Sequence, residues 1–196
     1  MVIAPALLAR IVQAALLASP QALTASQLLA LFDASDAVSR ADIEQALAQL
    51  QRDGGNAGVE LVQVASGWRY QVCGDVHPWV SRLWSERRTR YSRATLETLA
   101  LIAYRQPITR GEIEQVRGVA VASSIIQTLE ERGWICVLGH REVPGRPALL
   151  GTTAAFLDHF GLARLDQLPA LDELEGMGGW SDPADSSKAA SKETLP

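Results

Sequence analysis

Lysine is nearly absent from this sequence. Only Lys188 and Lys192, close to the carboxyl end, carry an ammonium group, and the basic residues before them are all arginines. A phosphate-binding P-loop needs a lysine directly after its second glycine, because that side chain neutralises the bound phosphate. The composition therefore disfavours a nucleotide enzyme of the P-loop type.

Cysteine and histidine are also scarce. Cys73 and Cys136 lie far apart without CxxC spacing, which argues against a disulfide framework or a thiolate zinc site. The three histidines show no HExxH spacing, and Ser123-Ser124 lacks the GxSxG frame of a nucleophile elbow. We therefore expect no cofactor, no metal and no catalytic residue, and a protein that is not an enzyme.

Long apolar runs are missing as well. No run approaches the roughly 18 residues that span a bilayer, and the amino-terminal MVIAPALLAR lacks the basic start and cleavage site of a secretory signal. At 47% hydrophobic residues, the chain can close one larger core or two small ones. We expect a soluble cytoplasmic protein without a membrane partner.

The net charge of -4 is unevenly distributed along the chain. Residues 1–86 carry five basic and eight acidic groups, residues 87–164 carry eleven and seven, and residues 165–196 carry two and seven. A mildly basic middle is compatible with an acidic partner or with weak, salt-sensitive nucleic-acid contact.

The first part of the chain predicts three helices and a β-hairpin. ALLARIVQAALLAS has an apolar stripe at helical spacing, Thr24 and Gln27 form a capping box, and Ser39 and Asp42 open SRADIEQALAQLQRD. VELVQVAS and WRYQVC alternate and meet at Gly67, as the strands of a hairpin do. The following VHPWVSRLWSERR predicts a further helix anchored by Trp79, Leu83 and Trp84.

The same order of elements then repeats. SRATLETLALIAYRQ predicts a helix, Thr109 and Glu112 form a second capping box, and the third helix closes at Gly133 as its counterpart closes at Gly54. Two copies of three helices plus a β-wing predict an α+β, mainly helical fold of two tandem winged-helix domains, residues 1–86 and 87–164. Residues 165–196 predict a docked leucine-rich segment and a disordered acidic tail that contains Trp180.

The stretch GRPALLGTT, residues 145–153, resembles a phosphate loop only superficially. Five residues separate its glycines where a P-loop has four, no lysine follows, and a strand rather than a helix comes next. We expect it to form the returning strand of the second wing, with Pro147 on an edge strand and the threonines capping the next helix. Arg146 is then either a partner contact or a solvated surface arginine.

The third helix of each domain lacks the side chains that read DNA bases. VAVASSIIQTLEER is apolar or acidic up to Arg132, and in SRADIEQALAQLQRD two arginines face three acidic residues. Base recognition in the major groove favours Arg, Lys, Asn and Gln on this helix. The composition favours contact with protein.

Several runs resemble one family in order and spacing. LETLALIAYRQPITRGEIEQVRGV, LEERGWI, VPGRPALLGTTAAFLDHFGL and LDQLPAL are similar to segregation and condensation protein B (ScpB), the small subunit of the bacterial SMC condensin complex. The resemblance implies a homodimer, formed through the amino-terminal domain, that binds the kleisin ScpA and through it the SMC ATPase on the nucleoid. It implies no catalytic site, and a role in chromosome condensation and segregation during cell division. Leu150 departs from the family, which often has an aromatic residue there.

Two sets of candidate residues follow. For acidic groups of the kleisin we predict four arginines, Arg105, Arg110, Arg117 and Arg146. For the dimer interface we predict four residues of the first helix, Leu7, Leu8, Ile11 and Val12, with the alternative that they only fill their own core. The competing functions are a winged-helix transcription regulator and, third, a hydrolase or nucleotide enzyme built around GRPALLGTT.

Overall fold

A computed structural model describes residues 3–54, 58–83 and 91–170 of the chain. The chain divides into two compact units, residues 1–165 and 166–196. The first unit contains two successive groups of helices and strands, which we name the first block (residues 3–83) and the second block (residues 91–164). The predicted acidic tail with Trp180, as well as Trp84, lies outside the described residues.

The first block places three helices before a hairpin. Its helices are α1 (Pro5–Ala18), α2 (Ala25–Leu29) and α3 (Arg40–Asp53), with a short 3-10 turn at Ala34–Asp36. Strands β1 (Val59–Val64) and β2 (Gly67–Val72) pair antiparallel. This is the element order that the sequence predicts.

Local hydrogen bonds fix where α2 and α3 begin. Gln27 N donates to Thr24 Oγ1 at 3.2 Å, and Thr24 N donates to Gln27 Oε1 at 2.8 Å. Ser39 and Asp42 exchange the same pair of bonds at the start of α3. Both predicted helix starts are confirmed, and each satisfies amides that would otherwise lack partners.

The core of the first block lies between α1, α3 and the hairpin. Val12, Leu28 and Ile43 are fully buried, and Leu47 and Leu61 are nearly so. The apolar stripe of α1 therefore packs against α3, as the helical spacing requires.

Gly67 brings the hairpin close to the chain entering α2. A Cβ atom there would lie 2.5 Å from the backbone carbonyl of Leu23, and the φ angle of +143° is one that L-residues rarely adopt. This approach lets Leu23 and Trp68 exchange two backbone hydrogen bonds, at 2.8 and 2.9 Å. Leu23 thus forms an isolated β-bridge beside β2.

The prediction of one long helix after the hairpin is wrong for the part of it that the structure describes. In residues 76–83, the described part of this stretch, His77–Val80 form the short helix α4 and Ser81–Leu83 form a 3-10 turn. Trp79 and Leu83, predicted as anchors, are both exposed. Pro78 in the first turn suits a helix start, and the chain then tightens into the 3-10 turn. Neither of these two short elements has a buried residue.

The second block repeats the arrangement. It contains α5 (Arg93–Arg105), β3 (Ile108–Thr109), α6 (Arg110–Arg117), α7 (Ser123–Glu131), β4 (Ile135–His140), β5 (Ala148–Thr152) and α8 (Ala154–His159). The capping box of Thr109 and Glu112 and the cap that Thr153 places on α8 are both present, as predicted. The core includes Ile102, Ile113 and Leu129.

Within GRPALLGTT the strand β5 forms, and it is a central strand, not an edge strand. The sheet order is β3-β5-β4, so the prediction of an edge strand at Pro147 is wrong. Pro147 lies just before β5, where its missing N–H removes no bond of the strand. Ile108 pairs with Leu150 in this sheet, as Leu23 pairs with Trp68 in the first block.

None of the helices in the described ranges is long and apolar enough to cross a membrane.

Candidate protein-interaction site

An apolar groove opens between α7 and the strands of the second block, and we name it the second-block groove. Its volume is about 330 Å³. Five apolar residues line it, Ile126, Val137, Pro147, Ala148 and Leu150, and three polar ones stand at its rim, Arg110, Ser123 and Glu130. A surface of this kind can bind apolar side chains of a partner and orient them by a few polar groups.

Arg110 is held in place by its own block. Its Nε donates to Glu114 Oε1 at 3.0 Å, its Nη1 donates to Ser123 Oγ at 3.0 Å, and its Nη2 donates to the carbonyl of Val121. Glu114 also accepts from Val121 N, and this bond, with that from Arg110, lowers the pKa of the Glu114 carboxyl. The rim of the groove is therefore positioned before any partner arrives.

The first block has a groove at the corresponding place, with different chemistry. Leu47 on α3 lines one groove and Ile126 on α7 lines the other. The two residues are equivalent in sequence, because each precedes the glycine after its helix, Gly54 or Gly133, by the same number of positions. The first-block groove, about 410 Å³ in volume, also presents Arg40, Glu44, Gln51 and Gln63. Arg40 and Glu44 form an ion pair at 2.9 Å across its wall. The second-block groove is the more apolar of the two.

The four predicted arginines do not form one cluster of free cations. Arg117 has a side chain only 10% exposed and donates to Glu97 at 3.1 Å and to Thr98 at 3.3 Å. Arg146 is exposed in the wing loop and pairs with Glu142 at 2.9 Å, and Arg105 is exposed at the end of α5. Arg110 alone lines the groove. A partner contact for any of the four stays a prediction.

The four predicted dimer residues divide between core and surface. Leu8 and Val12 are buried in the first block, and Ile11 is half-buried, whereas Leu7 is exposed. For Leu8 and Val12 the structure favours the alternative that they fill their own core. Dimerisation through the remaining surface of α1 stays a prediction.

A contact between the two blocks joins residues that no sequence pattern singled out. Ser66 N donates to Asp158 Oδ1 at 3.0 Å, Arg69 Nη2 donates to the carbonyl of Asp158 at 2.9 Å, and Ala65 N donates to the carbonyl of Leu162 at 3.0 Å. The partners are about 90 residues apart in sequence. No local sequence pattern predicts this contact, because the sequence of a hairpin turn or of a helix end does not depend on whether the two segments are in contact.

Aromatic rings pack beside this contact. Trp134 is buried, with its ring centroid 5.1 Å from that of Tyr91 and 4.5 Å from that of His159. Burial, and then the positive charges of Arg132 and Arg69, lower the pKa of His159. A neutral imidazole therefore suits this position better than a charged one.

Within the described residues, no group of three or more His, Cys, Asp or Glu side chains is placed to hold a metal ion.

A family model and related proteins identify one family. A model described as segregation and condensation complex subunit ScpB matches residues 10–171. A segregation and condensation protein B homolog from Coxiella burnetii is 53% identical over 164 residues, 84% of this chain and 78% of that protein. The crystal structure of ScpB from Mycobacterium tuberculosis is 32% identical with a TM-score of 0.39, covering 83% of this chain and 99% of that one. A structure of a dimer of the ScpB N-terminal domain complexed with ScpA peptide is 24% identical with a TM-score of 0.34, covering 39% and 93%.

Proposed function

Because this chain belongs to the family of segregation and condensation complex subunit ScpB, we propose that it is a non-catalytic subunit of the SMC–kleisin complex. It binds the kleisin ScpA as a homodimer and reaches the SMC ATPase through it. In this role it acts on the nucleoid in chromosome condensation and segregation during cell division.

Each block is, in this proposal, a winged-helix domain. In both blocks, a capped helix directly follows an N-cap residue in extended conformation. The residue before that N-cap pairs with the second strand of the β-hairpin, and this shared arrangement supports the proposal. The pairs are Leu23 with Trp68 in the first block and Ile108 with Leu150 in the second. A duplicated domain explains why both grooves occur between the third helix and the wing.

The observation that carries the kleisin proposal is the second-block groove. Its floor is apolar, and its polar rim at Arg110 and Ser123 is fixed by internal hydrogen bonds. Burial of apolar side chains supplies affinity, and a preorganised rim lowers the ordering cost of binding. An extended or helical kleisin segment with apolar side chains fits this surface.

A pair of matched variants tests this placement. Val137 lines the groove and is 46% exposed, while Val116, on α6 and outside the lining, is 45% exposed. With the purified kleisin of the same organism, we expect Val137→Glu to weaken binding at least ten-fold, about 1.4 kcal/mol, in calorimetric titrations. Val116→Glu should bind like the unmodified chain. Equal affinities for the two variants would exclude the groove as the kleisin site.

Recovery of partners from cells tests the function itself. Affinity purification of the tagged chain followed by mass spectrometry should return a kleisin and an SMC ATPase. Recovery of DNA fragments without these proteins would instead support a transcription regulator. The acidic end of α7, at Glu130 and Glu131, is unfavourable for a helix that must approach phosphates.

A further inference from the structure

The first block has an apolar core of its own. The cluster around α1 and α3 extends from Leu8 to Leu61 and, among the described residues, draws all its buried members from the first block. The buried residues of the second block, such as Ile113 and Leu129, belong to its own helices and sheet. Apolar burial within the first block therefore stabilises that block by itself.

Three hydrogen bonds join the two blocks. The turn between β1 and β2 gives two backbone amides, Ala65 N and Ser66 N, to the end of α8 and the residues after it. Arg69, on β2, gives a guanidinium N–H to the carbonyl of Asp158. We name these three hydrogen bonds the clasp.

The charges in the clasp are complementary. The last carbonyls of a helix carry partial negative charge and favour a nearby cation, here Arg69. The Nε atom of Arg69 is buried and has no partner within the described structure, so this guanidinium is already removed from water on one side. Its remaining bonds are therefore costly to lose, because a buried charged group needs its partners.

We infer that Asp158 and Arg69 are positioning residues that hold the second block at a fixed angle to the first. Asp158 acts through its carboxylate on Ser66 and through its carbonyl on Arg69. Because the clasp consists of few hydrogen bonds, the loss of one leaves both cores intact and frees the angle. With the clasp intact, a partner that touches both blocks binds a single arrangement of them, and this reduces the entropic cost of binding.

This inference goes beyond the proposed function, and it is tested on the free chain without any kleisin. Spin labels are attached at Gln49→Cys on α3 and Gln115→Cys on α6, both exposed, after replacement of Cys73 and Cys136 by serine. Pulsed electron spin resonance then measures the distribution of distances between the blocks. With Asp158 present we expect a single narrow distribution.

Variants separate the clasp from general destabilisation. Asp158→Ala and Arg69→Gln should each broaden the distribution at least two-fold, while Asp158→Asn, whose amide oxygen still accepts from Ser66 N, should stay close to the parent. Glu142→Ala, which breaks an exposed ion pair in the wing loop, is the control and should change nothing. A thermal melt confirms that each variant is folded. A broad distribution in the parent, or an unchanged one in both Asp158→Ala and Arg69→Gln, would overturn the inference.

Discussion

Arg117 Nη2 lies 3.1 Å from Glu97 Oε2 and joins α6 to α5, with the arginine side chain only 10% exposed. The Arg117 Nη1 atom donates in addition to Thr98, whose side chain is fully buried. Hydrogen bonds, first that from Arg93 and then that from Arg117, lower the pKa of the Glu97 carboxyl. The arginine is thus part of the second block's interior structure.

Arg117→Ala should therefore reduce the stability of the chain. We expect a loss of about 2 kcal/mol in the free energy of unfolding, because hydrogen bonds to charged groups contribute about 1.5–3 kcal/mol. Arg146→Ala, at an exposed arginine, should change the free energy by less than about 0.5 kcal/mol. Urea denaturation followed by tryptophan fluorescence measures both, and similar effects would contradict the structural role of Arg117.

Gly67 should not tolerate a side chain. Gly67→Ala places a Cβ against the Leu23 backbone and keeps an unfavourable φ angle. We expect a loss of about 2–3 kcal/mol, since overpacking and backbone strain each cost about 1–3 kcal/mol. Gly74→Ala is the matched control, because no atom lies within 4 Å of its added Cβ. A chain with Gly67→Ala that unfolds at the same urea concentration as the control would refute the close approach.

Dimerisation through α1 should depend on its exposed face. Leu7→Glu is expected to shift the chain from dimer to monomer at micromolar concentration in light scattering, because it places a charge in an apolar contact. Leu31→Glu changes a leucine after α2 that is more exposed, 55% against 42% for Leu7, and should leave the mass unchanged. Leu8 and Val12 are unsuitable for this test because their replacement disrupts the core. A monomeric parent chain would exclude the α1 dimer outright.

Acid should destabilise the protein through His159. The folded state lowers the pKa of His159 below its usual value of 6.5, so the unfolded chain binds more protons as the pH falls through 6.5. Stability is then greatest above this pH and decreases below it until the folded-state pKa is passed. His159→Phe should reduce the loss between pH 7.5 and 5.5, measured by urea unfolding at each pH. His140→Gln, at an exposed histidine of the wing, should keep the full loss.

The helix starts were predictable because their signals are local. The capping boxes at Thr24, Ser39 and Thr109 need only a side chain and an amide three residues away, and all three form. The hairpin at Gly67 was predictable from alternation for the same reason. Helical and strand periodicity depends on each residue's immediate neighbours.

The candidate site was less predictable than the fold. Clustering of arginines in the best-matching motifs indicated Arg110, which lines the groove, but equally Arg117, which is largely buried. Arg110 and Arg117 are the first and last residues of the same helix, α6, yet they differ in how far their side chains are buried. This difference depends on where α5 and the α6–α7 turn lie, and this is a property of the packed block.

The sequence alone was enough to predict the capped helix starts, the first hairpin and the family, because caps, periodicity and motifs depend on short stretches of residues. Tertiary structure alone decided that β5 is central, that Trp79 and Leu83 stay exposed, and that Asp158 meets Ser66 and Arg69. These features depend on which distant segments come into contact. Which segments come into contact depends on the burial of entire helix and sheet faces. Any single residue contributes only a small share of the free energy of that burial.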